Sequence, residues 1–565
     1  MFTNLRNVQI TISLLKQFSI KKIVISPGSR NMPFVHSVEQ DDYFECYSIV
    51  DERSAGYFAL GLSAKADEIV VLTCTSSTAT ANYLPSLLNV KENKARIVAL
   101  TFDRDYRKLY KMEDQMIDQI KMYGKAVMCS VNIPIIRDAM DEWYSITEIN
   151  KAFLYFNKNI GAVQVNVQID DFGSFDCSTL PKTRKISSVS INAFESCCEE
   201  FQKILLEKER IMVYCCQDFQ NDNEMRHLLE QFQEKFNSII SYDEFSVAKS
   251  DKFIKTCLVT ESMYLEEFER FCPDIVITIG GHSWSFMKYK LRHLSNNFEH
   301  WHIDESGVIR DAFNALTMVF EIDPKIFFAN INNKNCVSNK KYYNLWRERL
   351  SKVIIPPLEY SNFLVIKMLA GRIPDGSLVH LSILNSIRLY NFVGGPQNCE
   401  VYANLGTDGI DGCLSTFIGQ SMFTDKLSFL IIGDLSSLYD MSAFQYLNNS
   451  NQRVLIINNH VGSEFYNNFR SYIDTIDKHI GASHKNSLES VCELASIKYI
   501  SASNFTDLEK GLEMFVNTND KPILFEVFTD PNIDTKMLGE YYRINLYRDN
   551  KIVLKKIMKK LHLIK

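Results

Sequence analysis

Two polar stretches in the last third of the chain carry residue types that could hold a metal ion. One apolar run ends in Gly433-Asp434, and about 25 residues later a second run, 454–457, ends in Asn458-Asn459. A carboxylate and an amide oxygen are hard ligands, and they suit Mg²⁺ that also binds diphosphate oxygens. We therefore expect Asp434 and Asn459 to lie together and to bind Mg²⁺.

The turn that follows Gly433 suits the anionic part of a ligand. A strand that passes through a glycine into a helix presents free backbone N–H groups and the positive end of the helix dipole. Ligands of parallel sheets bind at the carboxyl ends of strands, where Asp434 and Asn459 are both expected. Either motif alone also fits a structural role, as a helix N-cap or an Asx-type turn. The two together, at this spacing, resemble the signature of thiamine diphosphate enzymes.

The elements that must position these residues read as short apolar strands that alternate with longer amphipathic stretches. This alternation is typical of a mostly parallel sheet with helices on both faces. We therefore predict the α/β fold class, with parallel sheets flanked by helices. The predicted strands fall into three sets: 22–26, 69–73, 96–101 and 162–169; then 211–215, 274–279 and 300–303; then 378–384, 401–403, 427–432, 454–457 and 523–528.

Two stretches between these sets read as linkers. Residues 177–190 are polar and contain a proline, and residues 353–362 contain a Pro-Pro pair that cannot lie inside a helix or a central strand. We therefore predict three domains, over 1–180, 186–352 and 358–565. The first and third sets of strands could follow the same α/β plan, which the sequence does not show directly.

Composition excludes several classes of function. The chain has 565 residues, 46% hydrophobic and 23% charged, which is ordinary for a globular protein. Its net charge of −6 argues against non-specific nucleic-acid binding. We find no signal peptide and no apolar run of the ~18 residues that a membrane span needs. The 14 scattered cysteines indicate reduced thiols, so we expect a cytoplasmic protein.

The stretch 551–565 reads as a helix docked on its own domain or, alternatively, as a basic membrane-surface helix.

Along nearly its full length the chain resembles the family of 2-succinyl-5-enolpyruvyl-6-hydroxy-3-cyclohexene-1-carboxylate synthases. These are thiamine-diphosphate-dependent decarboxylating carboligases of menaquinone biosynthesis. The order and spacing of the motifs are those of the family, whereas the middle of the chain matches weakly, mainly through IGGH at 279–282. The motifs are SPGSRNMPF (26–34), DERSAGYFALGL (51–62), TCTSSTATANYLPS (73–86), DR (103–104), DQMIDQ (114–119), ANLGTDGIDGCLST (403–416), GDLSSLYD (433–440) and NNHVGSEF (458–465).

The resemblance implies thiamine diphosphate and Mg²⁺ as cofactors. The family has an N-terminal pyrimidine-binding domain, a central domain and a C-terminal diphosphate-binding domain. Its cofactor sites form between the first domain of one subunit and the third domain of another, so a homodimer or homotetramer is implied. The expected partners are a 2-oxoacid donor and a small-molecule acceptor, with no nucleic acid and no membrane span.

Individual residues match the family's catalytic and cofactor-binding positions. Glu52 matches the glutamate that hydrogen-bonds the aminopyrimidine ring, where a protonated carboxyl promotes the imino form of the cofactor. Gln115 matches a glutamine near the reacting centre. Asp434 and Asn459 match the side-chain metal ligands, and the backbone carbonyl of Val461 completes the protein's share. The other expected cofactor contacts are Ile410, which matches the residue that wedges the cofactor into its bent shape, Gly433, Leu435, Ser436 and Phe465.

The substrate pocket matches the family less well. The family binds 2-oxoglutarate and isochorismate, and Ser29, Arg30, Arg104 and Arg388 match polar or positive groups of that pocket. An apolar position above the reacting carbon is Glu464 in this chain, so we expect Glu464 to contact substrate. Its carboxylate could accept hydrogen bonds from a hydroxylated or aminated substrate. The further departures are Leu405 in place of an arginine, Ser77 in place of a glycine, His460 and Val461 after the asparagines, and Phe286 and Met287 near the family's basic pair, where Lys288 or Lys290 could compensate.

These departures leave three hypotheses open. Loss of one charge-assisted pair to a carboxylate costs about 1.5–3 kcal/mol, and a buried anion repels the same substrate further. The chain could therefore use the same cofactor with a different 2-oxoacid or acceptor, for example in sugar or polysaccharide metabolism. It could instead catalyse the family's own reaction. The third hypothesis, a non-catalytic binding or regulatory homologue, is disfavoured because Glu52, Asp434 and Asn459 are all present.

Overall fold

The computed structural model describes residues 1–217, 222–246, 248–334, 336–469, 473–517 and 519–547, apart from the side chain of Lys478. The predicted helix over 551–565 lies outside the described residues. The chain divides into two compact units. One comprises Met1–Val189 and Ile309–Val319, and the other comprises Ser190–Val308 and the chain from Phe320 onward. The division into three domains stays a prediction.

Three six-stranded sheets form the framework, which confirms the predicted α/β class. All strand pairings of the first and third sheets, and three of the five pairings of the second sheet, are shown to be parallel. The strands are Lys22–Ile25 (β1), Glu45–Ser48 (β2), Ile69–Cys74 (β3), Arg96–Asp103 (β4), Cys129–Ile133 (β5), Gly161–Gln168 (β6), Ser187–Ser190 (β7), Ile211–Cys215 (β8), Ser238–Ser241 (β9), Ile275–Ile279 (β10), Glu299–Ile303 (β11), Leu316–Glu321 (β12), Leu378–Leu381 (β13), Glu400–Tyr402 (β14), Ser428–Gly433 (β15), Gln452–Asn458 (β16), Lys498–Ala502 (β17) and Ile523–Phe528 (β18).

The first and third sheets have the same strand order. The first runs β2-β1-β3-β4-β6-β5 and the third runs β14-β13-β15-β16-β18-β17. The plan suggested for the first and third strand sets is therefore used twice. The second sheet differs and runs β7-β12-β11-β10-β8-β9.

Helices connect and cover these strands. The N-terminus of α3, for example, is capped by Asp51, whose side chain accepts a hydrogen bond from the backbone N–H of Ser54. The α-helices are Arg6–Gln17 (α1), Met32–Glu39 (α2), Glu52–Ala66 (α3), Thr78–Asn82 (α4), Leu84–Leu87 (α5), Ala139–Leu154 (α6), Ile191–Glu207 (α7), Asn223–Lys235 (α8), Thr256–Thr260 (α9), Leu265–Phe268 (α10), Met287–His293 (α11), Pro324–Ile331 (α12), Lys341–Leu350 (α13), Asn362–Ala370 (α14), Asn385–Val393 (α15), Cys413–Ser421 (α16), Asp434–Tyr439 (α17), Ser463–Phe469 (α18), Glu489–Ala495 (α19), Phe505–Phe515 (α20) and Pro531–Asn545 (α21).

The third sheet is buried on both faces, which explains its almost continuously apolar strands. Alternate side chains of a strand point to opposite faces. Leu455 and Ile457 of β16 belong to the core on one face, whereas Val454 and Ile456 belong to the core on the other. The apolar run of β16 ends at Asn458, the last residue of the strand. No helix among the described residues is long and apolar enough to cross a membrane.

Every strand predicted from the sequence is present, but the sequence analysis missed six: β2, β5, β7, β9, β12 and β17. All of these except β12 lie at a sheet edge, where one side of the strand is uncovered and its side chains need not be apolar. β7 lies inside the stretch 177–190 that reads as a linker, so that interpretation is wrong for its last four residues. The predicted strand 378–384 ends at Leu381, and the next three residues form a turn before α15.

Candidate active site

A cavity of about 420 Å³ lies at the carboxyl edge of the third sheet, within the second unit. The parallel pairing of β15 with β16 places Gly433 beside Ile457, so Asp434 and Asn459 follow at the same edge. The cavity brings together all the cofactor contacts expected in this part of the chain: Ile410, Gly433, Asp434, Leu435, Ser436, Asn459, Val461 and Phe465. The expected substrate residue Glu464 also lines it.

Asp434 is a buried carboxylate with few partners. Its Oδ1 accepts a hydrogen bond from the backbone N–H of Leu435 at 2.7 Å, and its Oδ2 lies 3.2 Å from Nε2 of His484. Burial raises the pKa of Asp434 above its ordinary value, while the hydrogen bonds from Leu435 and His484 act in the opposite direction. A cation bound at this carboxylate would replace the hydration that burial has removed.

The two consecutive asparagines have different partners. Asn458 donates through Nδ2 to Oε1 of Glu526 at 2.8 Å and accepts through Oδ1 from the backbone N–H of His460 at 3.1 Å. Asn459 lines the cavity and donates through Nδ2 to Oδ2 of Asp534 at 3.1 Å. Because its amide nitrogen is bound to a carboxylate, the oxygen of Asn459 is the atom offered to a ligand. The structure thus separates a structural asparagine from one that could bind a metal.

Asp534, in the first turn of α21, orients Asn459. Its Oδ2 also accepts from the hydroxyl of Thr529 at 2.8 Å, and its Oδ1 accepts from the backbone N–H of Asn362 at 2.8 Å. Burial raises the pKa of Asp534 to about 6, although the three hydrogen bonds lower it. The sequence analysis missed Asp534, because it lies 75 residues after Asn459 and no motif marks it.

The loop before α16 carries Ile410 to the cavity. The backbone carbonyl of Ile410 accepts a hydrogen bond from the hydroxyl of Ser436 in α17. Gly406, in the same loop, has φ of +104°, and a Cβ atom there would lie 2.9 Å from Nε2 of His282. A side chain is therefore excluded at Gly406 by both backbone conformation and space. The loop packs closely against the IGGH motif, the part of the central region that resembles the family.

Glu464 and Arg388, both expected to contact substrate, bind each other. Nη1 of Arg388 lies 2.8 Å from Oε2 of Glu464, and Nη2 lies 2.8 Å from Oε1. The side chains are only 8% and 19% exposed, so this is a largely buried, bidentate ion pair. Burial alone would raise the pKa of Glu464, but the hydrogen bonds and charge of Arg388 lower that pKa below its ordinary value. Glu464 is therefore an anion at neutral pH.

In the first unit, Glu52 is half-buried at the start of α3. Its Oε2 accepts a hydrogen bond from Nδ2 of Asn82, the last residue of α4, at 3.2 Å. The N-cap of α4 is Ser77, which has φ of +74° and ψ of −129°. This conformation favours glycine, so Ser77 keeps the backbone geometry of the glycine expected from the family. Gln119, which the sequence analysis did not single out, accepts from the backbone N–H of Ser77 at 2.6 Å.

The two expected substrate arginines of the first unit already have partners. Arg30 donates through Nη1 to the carbonyl of Asp170 at 2.8 Å and lies over the ring of Phe172, 5.2 Å from its centroid. Arg104 pairs through Nη1 with Oε1 of Glu113 at 2.7 Å. Burial, followed by the charge of Arg104, lowers the pKa of Arg30. The buried Nε atoms of both arginines lack a described hydrogen-bond partner.

The remaining expected residues of the first unit are exposed. Ser29 lies just before Arg30 in the turn after β1. Gln115 has φ of +54°, and its backbone carbonyl accepts a hydrogen bond from the hydroxyl of Ser76 at 3.0 Å. The polar side chains of Ser29 and Gln115 are therefore accessible to a ligand.

The positions that depart from the family differ in their exposure. Leu405 packs, partly buried, against the core of the third sheet, and Met287 is fully buried. Phe286 and Lys290 line a second cavity of about 650 Å³ in the second unit. Lys288 donates to a backbone carbonyl at 3.3 Å. Of the two lysines that could compensate for the family's basic pair, Lys290 is thus the one that faces a cavity.

The donor set at the third sheet fits a hard divalent cation. Among the described residues no group of three histidine, cysteine, aspartate or glutamate side chains could hold a metal by itself. Asp434 and Asn459 supply one carboxylate and one amide oxygen at the same cavity. A small cation such as Mg²⁺ is commonly held by one or two protein oxygens together with phosphate oxygens and water. The cavity therefore fits Mg²⁺ that arrives with a diphosphate.

The chain is similar to thiamine pyrophosphate enzymes in its N-terminal region and to named synthases along nearly its full length. The family model for the thiamine pyrophosphate enzyme N-terminal TPP-binding domain matches residues 6–122. The 2-succinyl-5-enolpyruvyl-6-hydroxy-3-cyclohexene-1-carboxylate synthase of Phocaeicola vulgatus is 31% identical over 562 residues, which cover 96% of this chain and 99% of the relative. The synthase of the same name from Flavobacterium johnsoniae is 26% identical over 95% of this chain and 98% of its own length. Among solved structures, a benzoylformate decarboxylase from Polynucleobacter necessarius covers 94% of this chain and 99% of its own, at 13% identity and a TM-score of 0.45.

Proposed function

This chain belongs to the family of 2-succinyl-5-enolpyruvyl-6-hydroxy-3-cyclohexene-1-carboxylate synthases, and from that membership we propose that it is a decarboxylating transferase. It would remove CO₂ from a 2-oxoacid and join the resulting acyl anion equivalent to a small acceptor, with thiamine diphosphate and Mg²⁺ as cofactors. The observation that carries this proposal is the single cavity shared by Asp434, Asn459, Ile410 and Phe465.

The second unit would hold the diphosphate end of the cofactor. Asp434 and Asn459 would bind Mg²⁺ through side-chain oxygens, and the backbone carbonyl of Val461 would add a third ligand. Asp534 holds the amide of Asn459 in the orientation that this role needs. Gly433, Leu435 and Ser436, which also line the cavity, would contact the diphosphate.

The first unit would supply the proton chemistry. Thiamine diphosphate, when bound, supplies the electron sink for decarboxylation. Glu52 would hold a proton between one of its carboxyl oxygens and a ring nitrogen of the cofactor, while Asn82 keeps the other oxygen in place. Gln115, accessible in the same unit, would lie near the reacting centre.

We propose that the donor or the acceptor of this chain differs from the 2-oxoglutarate and isochorismate that the family uses. Glu464 and Leu405 replace an apolar residue and an arginine that the family pattern leads us to expect, and Arg388 is bound to Glu464. The second candidate function is the family's own reaction, with 2-oxoglutarate and isochorismate in menaquinone biosynthesis. Its support is the identity to such synthases over nearly the whole chain. We further propose a homodimer or homotetramer with active sites between subunits.

A screen of 2-oxoacids for CO₂ release, with and without isochorismate, tests these proposals. We expect release from at least one 2-oxoacid that depends on thiamine diphosphate and Mg²⁺. Efficient use of 2-oxoglutarate that requires isochorismate would favour the second candidate. No release from any 2-oxoacid by a protein loaded with cofactor would refute the proposed function. It would favour the hypothesis of a non-catalytic binding or regulatory homologue.

A further inference from the structure

The described lining of the cavity at the third sheet lacks the positive charge that would bind a ligand with two carboxylates. Its described lining contains two carboxylates, Asp434 and Glu464, and no lysine, arginine or histidine. Asp434 is the proposed ligand of Mg²⁺. Glu464, in the first turn of α18, remains as a second anion in the wall.

The charge of Glu464 is taken up by one cation, Arg388. Both terminal nitrogens of Arg388 bind Glu464 at 2.8 Å, and Nη1 also donates to Oδ1 of Asn385 at 2.5 Å. Oε1 of Glu464 accepts a further hydrogen bond from Nδ2 of Asn468 at 2.9 Å. Only Nε of Arg388 lacks a described partner. A ligand carboxylate could bind this guanidinium bidentately only after displacing Glu464.

The apolar side chains that line the cavity also favour an uncharged ligand. Ile366, Ile383, Leu389 and Phe465 provide apolar lining beside the ion pair. Leu384 also lines the cavity and is 40% exposed, with φ of +66° and ψ of −119°. Leucine adopts that conformation only under strain, and strained residues persist where the surrounding structure holds them, often at ligand sites. The strained turn thus presents an apolar side chain to the cavity.

We propose that the donor is a 2-oxoacid whose side chain is uncharged, and that the Glu464–Arg388 pair excludes a donor with a second carboxylate. This inference rests on the proposed function, because it names the class of donor for the same site. Glu464 occupies both terminal nitrogens of Arg388, so this guanidinium is not left for a second carboxylate, and the apolar lining takes an aliphatic side chain. Glu464 is therefore a residue that determines donor specificity.

The test compares two donors that differ at one group. 2-Oxopentanoate carries a methyl group where 2-oxoglutarate carries its distal carboxylate. We expect the wild-type protein, loaded with thiamine diphosphate and Mg²⁺, to prefer 2-oxopentanoate in kcat/KM for CO₂ release by about tenfold to a hundredfold. Glu464→Gln removes the anion but keeps a hydrogen-bond acceptor for Arg388. That variant should lower the preference by about tenfold or more, mainly through a lower KM for 2-oxoglutarate.

Two further variants distinguish the effect of charge from a general loss of function caused by substitution. The double variant Arg388→Met/Glu464→Leu removes both charges and should keep the wild-type preference, because no free cation appears. Glu509→Gln, at an exposed position of α20, should change nothing. Equal or better use of 2-oxoglutarate by the wild-type protein would overturn the inference while leaving the proposed function standing. An unchanged preference in folded, cofactor-loaded Glu464→Gln would overturn it as well. Failure of the wild-type protein with every 2-oxoacid would overturn the proposed function and this inference together.

Discussion

Asn458 ends β16 and Asn459 follows it directly, and their hydrogen-bond partners indicate different roles. The sequence predicts that one of them binds a metal, because the family match selects Asn459. It does not reveal why Asn459 is suited to this role, since Asp534 approaches it from a helix 75 residues away. The same holds for Glu464, whose unusual type is visible in the sequence while its bond to Arg388 depends on the packing of α15 against α18.

Alanine at each asparagine should separate the two tasks. Asn459→Ala removes a proposed metal ligand and should weaken Mg²⁺-dependent cofactor binding by about tenfold or more, with a small loss of stability of about 1 kcal/mol. Asn458→Ala removes the bonds to Glu526 and to the His460 backbone and should cost about 2–3 kcal/mol of unfolding free energy. Titration calorimetry and urea unfolding measure the two effects. The reverse pattern would contradict the assignment.

Glu52→Gln tests the proposed proton chemistry. Glutamine has nearly the same shape and can still accept the hydrogen bond from Asn82, so cofactor binding should be retained. It cannot exchange a proton with the cofactor, and the rate of decarboxylation should fall by about 10²–10⁴-fold. Steady-state CO₂ release measures the loss. A variant that turns over 2-oxoacids at the wild-type rate would show that Glu52 has another role.

At the scale of elements, most central strands were predictable, whereas five of the six edge strands were not. β16 is covered on both faces, so its apolar run stands out in the sequence. β2, which reads ECYS, lies at an edge with its side chains largely exposed, and it carries no such signal. The turns at the carboxyl edges were missed for a related reason. The conformations of Ser77 and Leu384 are those that glycine favours, and residue type alone does not reveal them.

Helix α3, which begins with Glu52, offers a matched pair of glycines. A Cβ atom at Gly56 would lie 2.2 Å from Oγ of Ser86 on the facing segment, whereas one at Gly61 would meet no atom within 4 Å. Gly56→Ala should therefore cost about 1–3 kcal/mol of stability, because the added methyl group would push α3 away from Ser86. Gly61→Ala should add about 0.5–1 kcal/mol, because alanine is the better helix former. Urea unfolding of both variants measures these opposite shifts.

If α3 positions Glu52, the displacement of α3 by Gly56→Ala should also lower activity. Gly56→Ala should lower the decarboxylation rate under conditions in which the variant is still folded, while Gly61→Ala should keep the wild-type rate. Equal stability of the two variants would contradict the close contact between Gly56 and Ser86.

At the scale of the whole molecule, the proposed roles are divided between the two compact units. Glu52 and Gln115 belong to the first unit, whereas Asp434 and Asn459 belong to the second. The repeated strand order gives both units a sheet of the same plan, and Asp434 and Asn459 lie at the carboxyl edge of the third sheet. In the family, the two halves of one site come from different subunits, and we propose the same arrangement here.

Mixing two inactive variants tests the shared site. Glu52→Gln and Asp434→Ala should each lose activity as homo-oligomers. After the subunits of two dimers are exchanged at equal amounts, about half of the dimers should be mixed, and each mixed dimer should contain one intact site of two. About a quarter of the wild-type activity should return. No recovery despite proven subunit exchange would place each site within a single chain.

The central claim is that the cavity at the third sheet binds thiamine diphosphate through Mg²⁺, and isothermal titration calorimetry tests it most directly. We expect one thiamine diphosphate per chain in the presence of Mg²⁺, and binding at least about tenfold weaker when Mg²⁺ is chelated or when Asp434 is replaced by alanine. Saturable binding that is unaffected by both changes, or no binding by the wild-type protein at all, would contradict the claim.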